Sequence, residues 1–231
     1  TDFSPADRVW TNRPARPQGK AMVHGEEYAG ESVQSKLSRV LQAVQSLDGD
    51  ALFVAMLDDI AWTLKLRGSD VEFTPVVISY LFISESETVL FVDSAKVTPE
   101  VKRHLADAGV KIKEYDDALR YLSNLRQSVN VLIDPNTVSD TCAQAIPVKS
   151  FAKSPIPLLK GVKNDTQIAG YRKAMERDGA ALVRTFMWVE KMAPTGTITE
   201  TDVADKALEE RSEMPLPVSD SFGMIAGYRE Q

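Results

Sequence analysis

The sequence predicts an α/β fold, a mixed sheet with flanking helices, followed by the first helices of a second unit. Three observations carry this expectation. Between residues 31 and 158, short apolar runs rich in β-branched and aromatic residues alternate with segments of helical period. Two of the runs, Val76 to Ser84 and Thr88 to Asp93, flank Glu85-Ser86-Glu87 and read as an antiparallel hairpin. Beyond residue 158 the alternation stops, and the pattern is helical from Asn164 to Met192.

Residues 1–30 hold Pro5, Pro14, Pro17, Gly19, Gly25 and Gly30 with little apolar periodicity, and read as an extended linker entering a domain. From Ser32, residues Val33, Leu37, Val40, Leu41, Val44 and Leu47 recur at three- and four-residue spacings and predict an amphipathic helix that Gly49 stops. Ala51 to Met56 is a continuous apolar run, the mark of a strand buried on both faces. Leu57 to Leu66 reads as a helix with Asp58 and Asp59 at its N-terminus and a C-cap at Gly68. After the hairpin, Thr98-Pro99-Glu100 opens a helix to about Ala108 with a capping residue, a first-turn proline and an acid. Val110 to Lys113 and Val129 to Asp134 then read as strands, Asp116 to Leu125 and Ser139 to Ala145 as helices.

Pro147, Pro155 and Pro157 punctuate a stretch without helical period, which places a domain boundary near residue 158. Asn164 with Gln167 then forms a capping-box pattern ahead of the longest helix, and Thr199 with Asp202 forms a second ahead of a helix ended by Pro215 and Pro217. Ser221 to Tyr228 reads as the first strand of a further unit. The three segments are therefore 1–30, 31–158 and 159–231.

Composition narrows the function classes. Apolar residues make up 43% and charged residues 26% of the 231, enough for packed structure throughout. The net charge is −6 with no dense basic stripe, so nucleic acid is not an expected partner. Apolar runs such as Val76 to Ile83 are far shorter than the roughly 20 residues that span a bilayer, so no membrane partner is expected either. Cys142 is the only cysteine, which excludes an intrachain disulfide and suits a reducing, cytoplasmic setting.

Residues able to carry chemistry are few. His24 and His104 are the only histidines; one lies in the linker and the other beside Lys102 and Arg103, and both read as solvated. Cys142 shows no neighbouring base and reads as a small buried residue. Asp58-Asp59, Asp116-Asp117 and Glu209-Glu210 are adjacent pairs, which diverge by about 100° on a helix and so read as helix-start or surface charge. No cluster has the spacing of a metal site, and no Gly-rich loop joins a strand to a helix as nucleotide binding would require. One segment stands out. Trp62 to Asp70 ends an apolar helix on arginine and glycine ahead of a buried strand, either as a plain turn or as a rim presenting Arg67 or Asp70 to a substrate end or a neighbouring domain.

The same segment carries a resemblance. D-D-I-A-W-T-L-K-L-R-G-S-D-V-E-F-T-P-V from Asp58 to Val76, with the S-Y-L-F-I strand after it, resembles the middle domain of the cytosolic three-domain Xaa-Pro aminopeptidases of the creatinase/prolidase-like metallopeptidase family. There a stretch of the form N-L-R-G-S-D-(V/I)-x-x-N-P-V holds this place; Lys65 and Thr74 stand where asparagine is common. W-T-N-R-P (Trp10 to Pro14) and Y-A-G-E-S (Tyr28 to Ser32) precede it in the family order, and the helix from Lys163 to Leu182 and F-G-M-I-A-G-Y-R-E from Phe222 follow.

The resemblance implies a creatinase/prolidase N-terminal-type domain at 31–158 and the truncated start of a "pita-bread" catalytic domain at 159–231. The catalytic domain would hold two divalent cations, commonly manganese, through two aspartates, a histidine and two glutamates, all after Gln231; none is nameable in this chain. It implies hydrolysis of the first peptide bond of peptides with proline second, with this chain alone inactive; in such an enzyme the rim reading makes Arg67 and Asp70 the substrate-proximal candidates of this chain. With the catalytic domain missing, the apolar face of the long helix is expected to pack on a second copy as a homodimer or to lose order. A stand-alone binding or regulatory module on the same scaffold is the competing expectation.

Overall fold

The structure, a computed structural model, describes residues 9–213 and 221–228. The first eight residues, Pro215 and Pro217 lie outside the described residues, so the expected helix stop at those prolines does too. Six strands form one sheet. β2 (Ala51–Val54), β4 (Ser79–Ser84), β5 (Thr88–Val92), β6 (Val110–Lys113), β7 (Val131–Ile133) and β8 (Lys149–Phe151) lie in the order β6-β5-β4-β2-β7-β8. The β4–β5 hairpin and the β2–β4 pair are antiparallel, and the remaining pairs are parallel. A smaller sheet pairs β1 (Met22–Val23) with β3 (Leu66–Arg67), antiparallel, with Met22 opposite Arg67.

Strand period sorts the core into two layers. Leu52 and Val54, Leu81 and Ile83, Leu90 and Val92, and Leu132 face helices α2 (Val33–Gln45), α3 (Leu57–Leu64) and α4 (Pro99–Asp107). Phe53, Phe82, Val89, Phe91, Val131 and Ile133 point the opposite way, to helices α5 (Ala118–Ser123) and α6 (Asp140–Ala145). Each strand of the hairpin and β2 is therefore buried on both faces, which is why their sequences read as unbroken apolar runs. Cys142 is buried in the second layer.

Caps account for the helix starts. Ser32, Thr98 and Ser139 each accept a hydrogen bond from the backbone three residues on. Helix α8 (Asp165–Met192) opens on a complete capping box, with Asn164 accepting from the Gln167 backbone and Gln167 accepting from that of Asn164. Helix α9 (Glu200–Ser212) opens likewise on Thr199 and Asp202, and packs back on α8.

Several expectations are corrected. Helix α3 ends at Leu64, where Lys65 takes the left-handed conformation (φ 52°), and not at Gly68. The segment predicted as a helix from Asp116 begins as a 3-10 turn and ends at Ser123. Sequence reading missed β1 and β3, because two-residue strands carry no period, β8, because Lys149-Ser150-Phe151 lacks the apolar run that marks β7, and α1 (Glu26–Ala29) and α7 (Ile156–Gly161), which are too short to show a helical period. The expected strand at Ser221–Tyr228 is not formed: these residues pair with no strand among the described residues, and a ladder needs a partner to exist.

Candidate functional site: the cleft at Arg67

The segment singled out in the sequence folds around one turn. Lys65, in the left-handed region, donates its backbone N–H to the Ala61 carbonyl and closes α3. Its own carbonyl accepts from His24 N at 2.7 Å, which brings the incoming chain alongside as β1. Gly68 follows because nothing larger fits: a β-carbon there would stand 2.5 Å from Val77 Cγ2 and 2.9 Å from the Val76 carbonyl oxygen. The glycine of this motif thus serves a close approach between two stretches of backbone, with no helix to cap.

Asp70 turns inward. Its side chain is fully buried, with Oδ2 2.5 Å from Lys96 Nζ and accepting from the Ile78 backbone at 2.7 Å. It therefore fastens the turn to the strand that follows, and Oδ1 has no hydrogen-bond partner. Arg67 is half-buried, and its Nη1 donates to the carbonyls of Ala61 (3.0 Å) and Leu66 (2.8 Å). Burial holds its guanidinium below its ordinary pKa, with Tyr171 pulling the other way.

Arg67 lines a cleft of about 330 Å³ between the α/β unit and the long helix. Helix α3 supplies Asp58, Ala61 and Trp62, the strand approach supplies Thr74, Pro75 and Val76, and the segment around α7 and α8 supplies Lys160, Lys163, Gln167 and Tyr171. Lys160 bridges Asp58 and Asp59, with Asp59 Oδ1 at 2.7 Å. Asp59 lies in the first turn of its helix, as the helix-start reading predicts, but is buried rather than on the surface, and burial raises its pKa against the opposing pull of Lys160. Burial alone would lower the Lys160 pKa; its two carboxylate partners outweigh that and leave it raised. Lys163 donates to the Lys160 carbonyl at 2.8 Å.

A second basic group lies next to this wall. Lys36 is buried, donates to the Trp62 carbonyl at 2.9 Å and sits 4.4 Å from the Trp62 ring centroid, a cation–π contact. Burial lowers its pKa to about 8. His24 is half-buried against the Tyr28 ring, and burial, with Arg67 and Lys36 nearby, lowers its pKa to about 4. Neither histidine is simply solvated, as expected from sequence: His104 Nε2 lies 2.8 Å from the Leu64 carbonyl, which can only accept, and so caps the end of α3. Nothing in the sequence signals the Lys160 bridge or the Lys36–Trp62 contact, whose partners lie 101 and 26 residues apart.

Among the described residues, no group of three His, Cys, Asp or Glu side chains converges in a way that could hold a metal ion. The described residues do not fit the two-cation centre that the resemblance implies.

Comparison with known proteins fixes the family. The model of the creatinase/prolidase N-terminal domain matches residues 12–167, which contain the sheet, Arg67 and Asp70. The chain belongs to this family. Within it, the chain is 33% identical to aminopeptidase P2 of Arabidopsis thaliana, over 96% of this chain and 36% of that protein. It is 38% identical to a probable Xaa-Pro aminopeptidase P of Aspergillus flavus, over 95% and 36%. Among solved structures it superposes on X-prolyl aminopeptidase from Caenorhabditis elegans, described as a cytosolic enzyme with a di-nuclear active site, with TM-score 0.89 and 29% identity over 95% of this chain and 37% of that one. Xaa-Pro dipeptidase from Bacillus anthracis shares the fold at TM-score 0.59 and 12% identity. The chain spans little more than a third of the aminopeptidases it matches.

Proposed function

We propose that this chain is the non-catalytic part of a cytoplasmic, metal-dependent Xaa-Pro aminopeptidase that releases the first residue of peptides whose second residue is proline. The observation that carries the reading is the alignment of about 95% of the chain with 36% of the length of a protein named probable Xaa-Pro aminopeptidase P. In this reading residues 1–30 lead from a preceding domain, 31–158 form the middle domain and 159–231 open the catalytic domain. The C. elegans relative's di-nuclear site supports two divalent cations in the intact enzyme, and manganese is the metal proposed.

What this chain supplies is shape and position. The Asp70–Lys96 pair fastens the turn, Gly68 lets it pass close to Val76 and Val77, and Arg67 is thereby held in the wall of the cleft. Arg67 faces substrate or the adjoining domain, with Asp70 acting through it as a positioning residue.

The test is release of the first residue from a short Xaa-Pro peptide by the native protein, captured from its source with an antibody against this chain. Release that stops with chelator and returns with manganese is expected. Capture of the intact, folded native protein that fails to cut any Xaa-Pro peptide, at any added divalent metal, would overturn the reading.

A further inference from the structure

Among the described residues, Arg67 is a half-buried cation without a counter-ion. No carboxylate among the described residues lies within ion-pair distance of it, and its Nη1 hydrogen bonds go to neutral carbonyls. The N–H groups of Nε and Nη2 have no acceptor among the described residues. Taking a guanidinium partly out of water without an anion is unfavourable, and a planar fork with free donors matches a carboxylate in two parallel hydrogen bonds. The cleft around it adds Lys160 and Lys163. Its one lining carboxylate, Asp58, is already held by Lys160. The rest of the wall is mostly apolar or aromatic, from Ala61, Trp62, Pro75, Val76 and Tyr171, with the neutral polar Thr74 and Gln167 beside them.

We infer that this cleft is a carboxylate-binding site, in which Arg67 receives the carboxylate of a short peptide and Trp62, Pro75 and Tyr171 receive the side chain next to it. The chemistry of the site stands on the cleft alone; that the carboxylate is the free C-terminus of a peptide substrate rests on the proposed function. The other source of the same chemistry is an Asp or Glu elsewhere in the longer protein. If the carboxylate is the substrate's C-terminus, the enzyme favours short peptides, because only their free end reaches Arg67.

The experiment titrates the 231-residue chain with Gly-Pro-Phe and with its C-terminal amide, following the indole N–H of Trp62 by two-dimensional NMR. The acid is expected to move the Trp62 signal and saturate, with the amide at least about tenfold weaker, as loss of a charge-assisted pair implies. Arg67→Met is expected to abolish the difference, and Arg67→Lys to keep a reduced one. Equal response to acid and amide in the unaltered chain overturns the site, whether or not Arg67→Met folds. The native protein gives the second arm: discrimination retained there assigns the carboxylate to the peptide, and discrimination present in the isolated chain but lost in the native protein overturns that assignment. Peptide hydrolysis, read separately, reports on the proposed function and leaves this binding result untouched.

Discussion

Arg67 and Asp70 are three residues apart and were indistinguishable as candidates in the sequence, yet the fold sends one to a cleft and buries the other. Asp70 and Lys96 are both withdrawn from water, so each depends on the other. Asp70→Asn is expected to leave Lys96 charged and unpaired in the core, costing about 3–5 kcal/mol in urea unfolding, whereas Asp70→Asn combined with Lys96→Met should recover most of it. Lys96 was invisible as a partner because it lies beyond the hairpin; a motif shows which residues matter but carries no sign of which one turns inward. His24 gives a second residue-scale prediction. With its pKa at about 4 in the fold against 6.5 when free, the unfolded chain takes up a proton between those values that the folded chain refuses. Stability is therefore full above pH 6.5 and falls as pH drops toward 4. Allowing for its partly exposed ring, the loss is about 1 kcal/mol. His24→Asn should flatten the dependence by that amount, and an unchanged profile would show that His24 does not contribute.

Among the elements, caps were legible and short strands were not. Thr98, Asn164 and Thr199 cap as their sequence positions predict, because capping needs only a short polar side chain three residues from a free N–H, and Ser32 and Ser139, which the sequence reading placed only at helix starts, cap in the same way. Asn164 does more. Its Nδ2 donates to the Ala29 carbonyl, joining the long helix to α1, and Gly30 (φ 65°) makes room, since a β-carbon there would lie 2.6 Å from Thr166 Cβ. Asn164→Ala is expected to destabilise the chain by about 1–2 kcal/mol and to speed amide exchange in residues 165–168, while residues 51–54 stay protected. Exchange unchanged at 165–168 would contradict the role assigned to the box. The end of α3 was misplaced for an opposite reason. Glycine is the usual left-handed cap, but here Lys65 takes that conformation, holding its backbone between Ala61 and His24 and its ammonium 3.2 Å from Glu26.

At the scale of the whole molecule, the alternation of strands and helices was enough to give the α/β class and the hairpin, while the order of strands and the placing of β8 at the sheet edge depend on long-range pairing that no local pattern encodes. The cleft belongs to this scale too, since its walls come from segments about a hundred residues apart. The long helix has one face on α9, where Ala181 and Thr185 are buried and Arg211 reaches Asp178, and another on which Tyr171, Met175, Val183, Phe186 and Met187 are each more than half exposed. Such a face favours association. Sedimentation of the isolated chain should show mass rising with concentration, with Phe186→Ser and Met187→Ser together returning it to monomer; a compact monomer at all concentrations would contradict this.

The central claim is that this chain shapes and orients but does not cut. The most direct measurement is release of the first residue from a Xaa-Pro peptide by the purified 231-residue chain, with manganese, zinc, cobalt or magnesium added in turn. No release above buffer is predicted under any of them. Turnover by this chain alone would place the reacting groups within residues 1–231 and contradict the account.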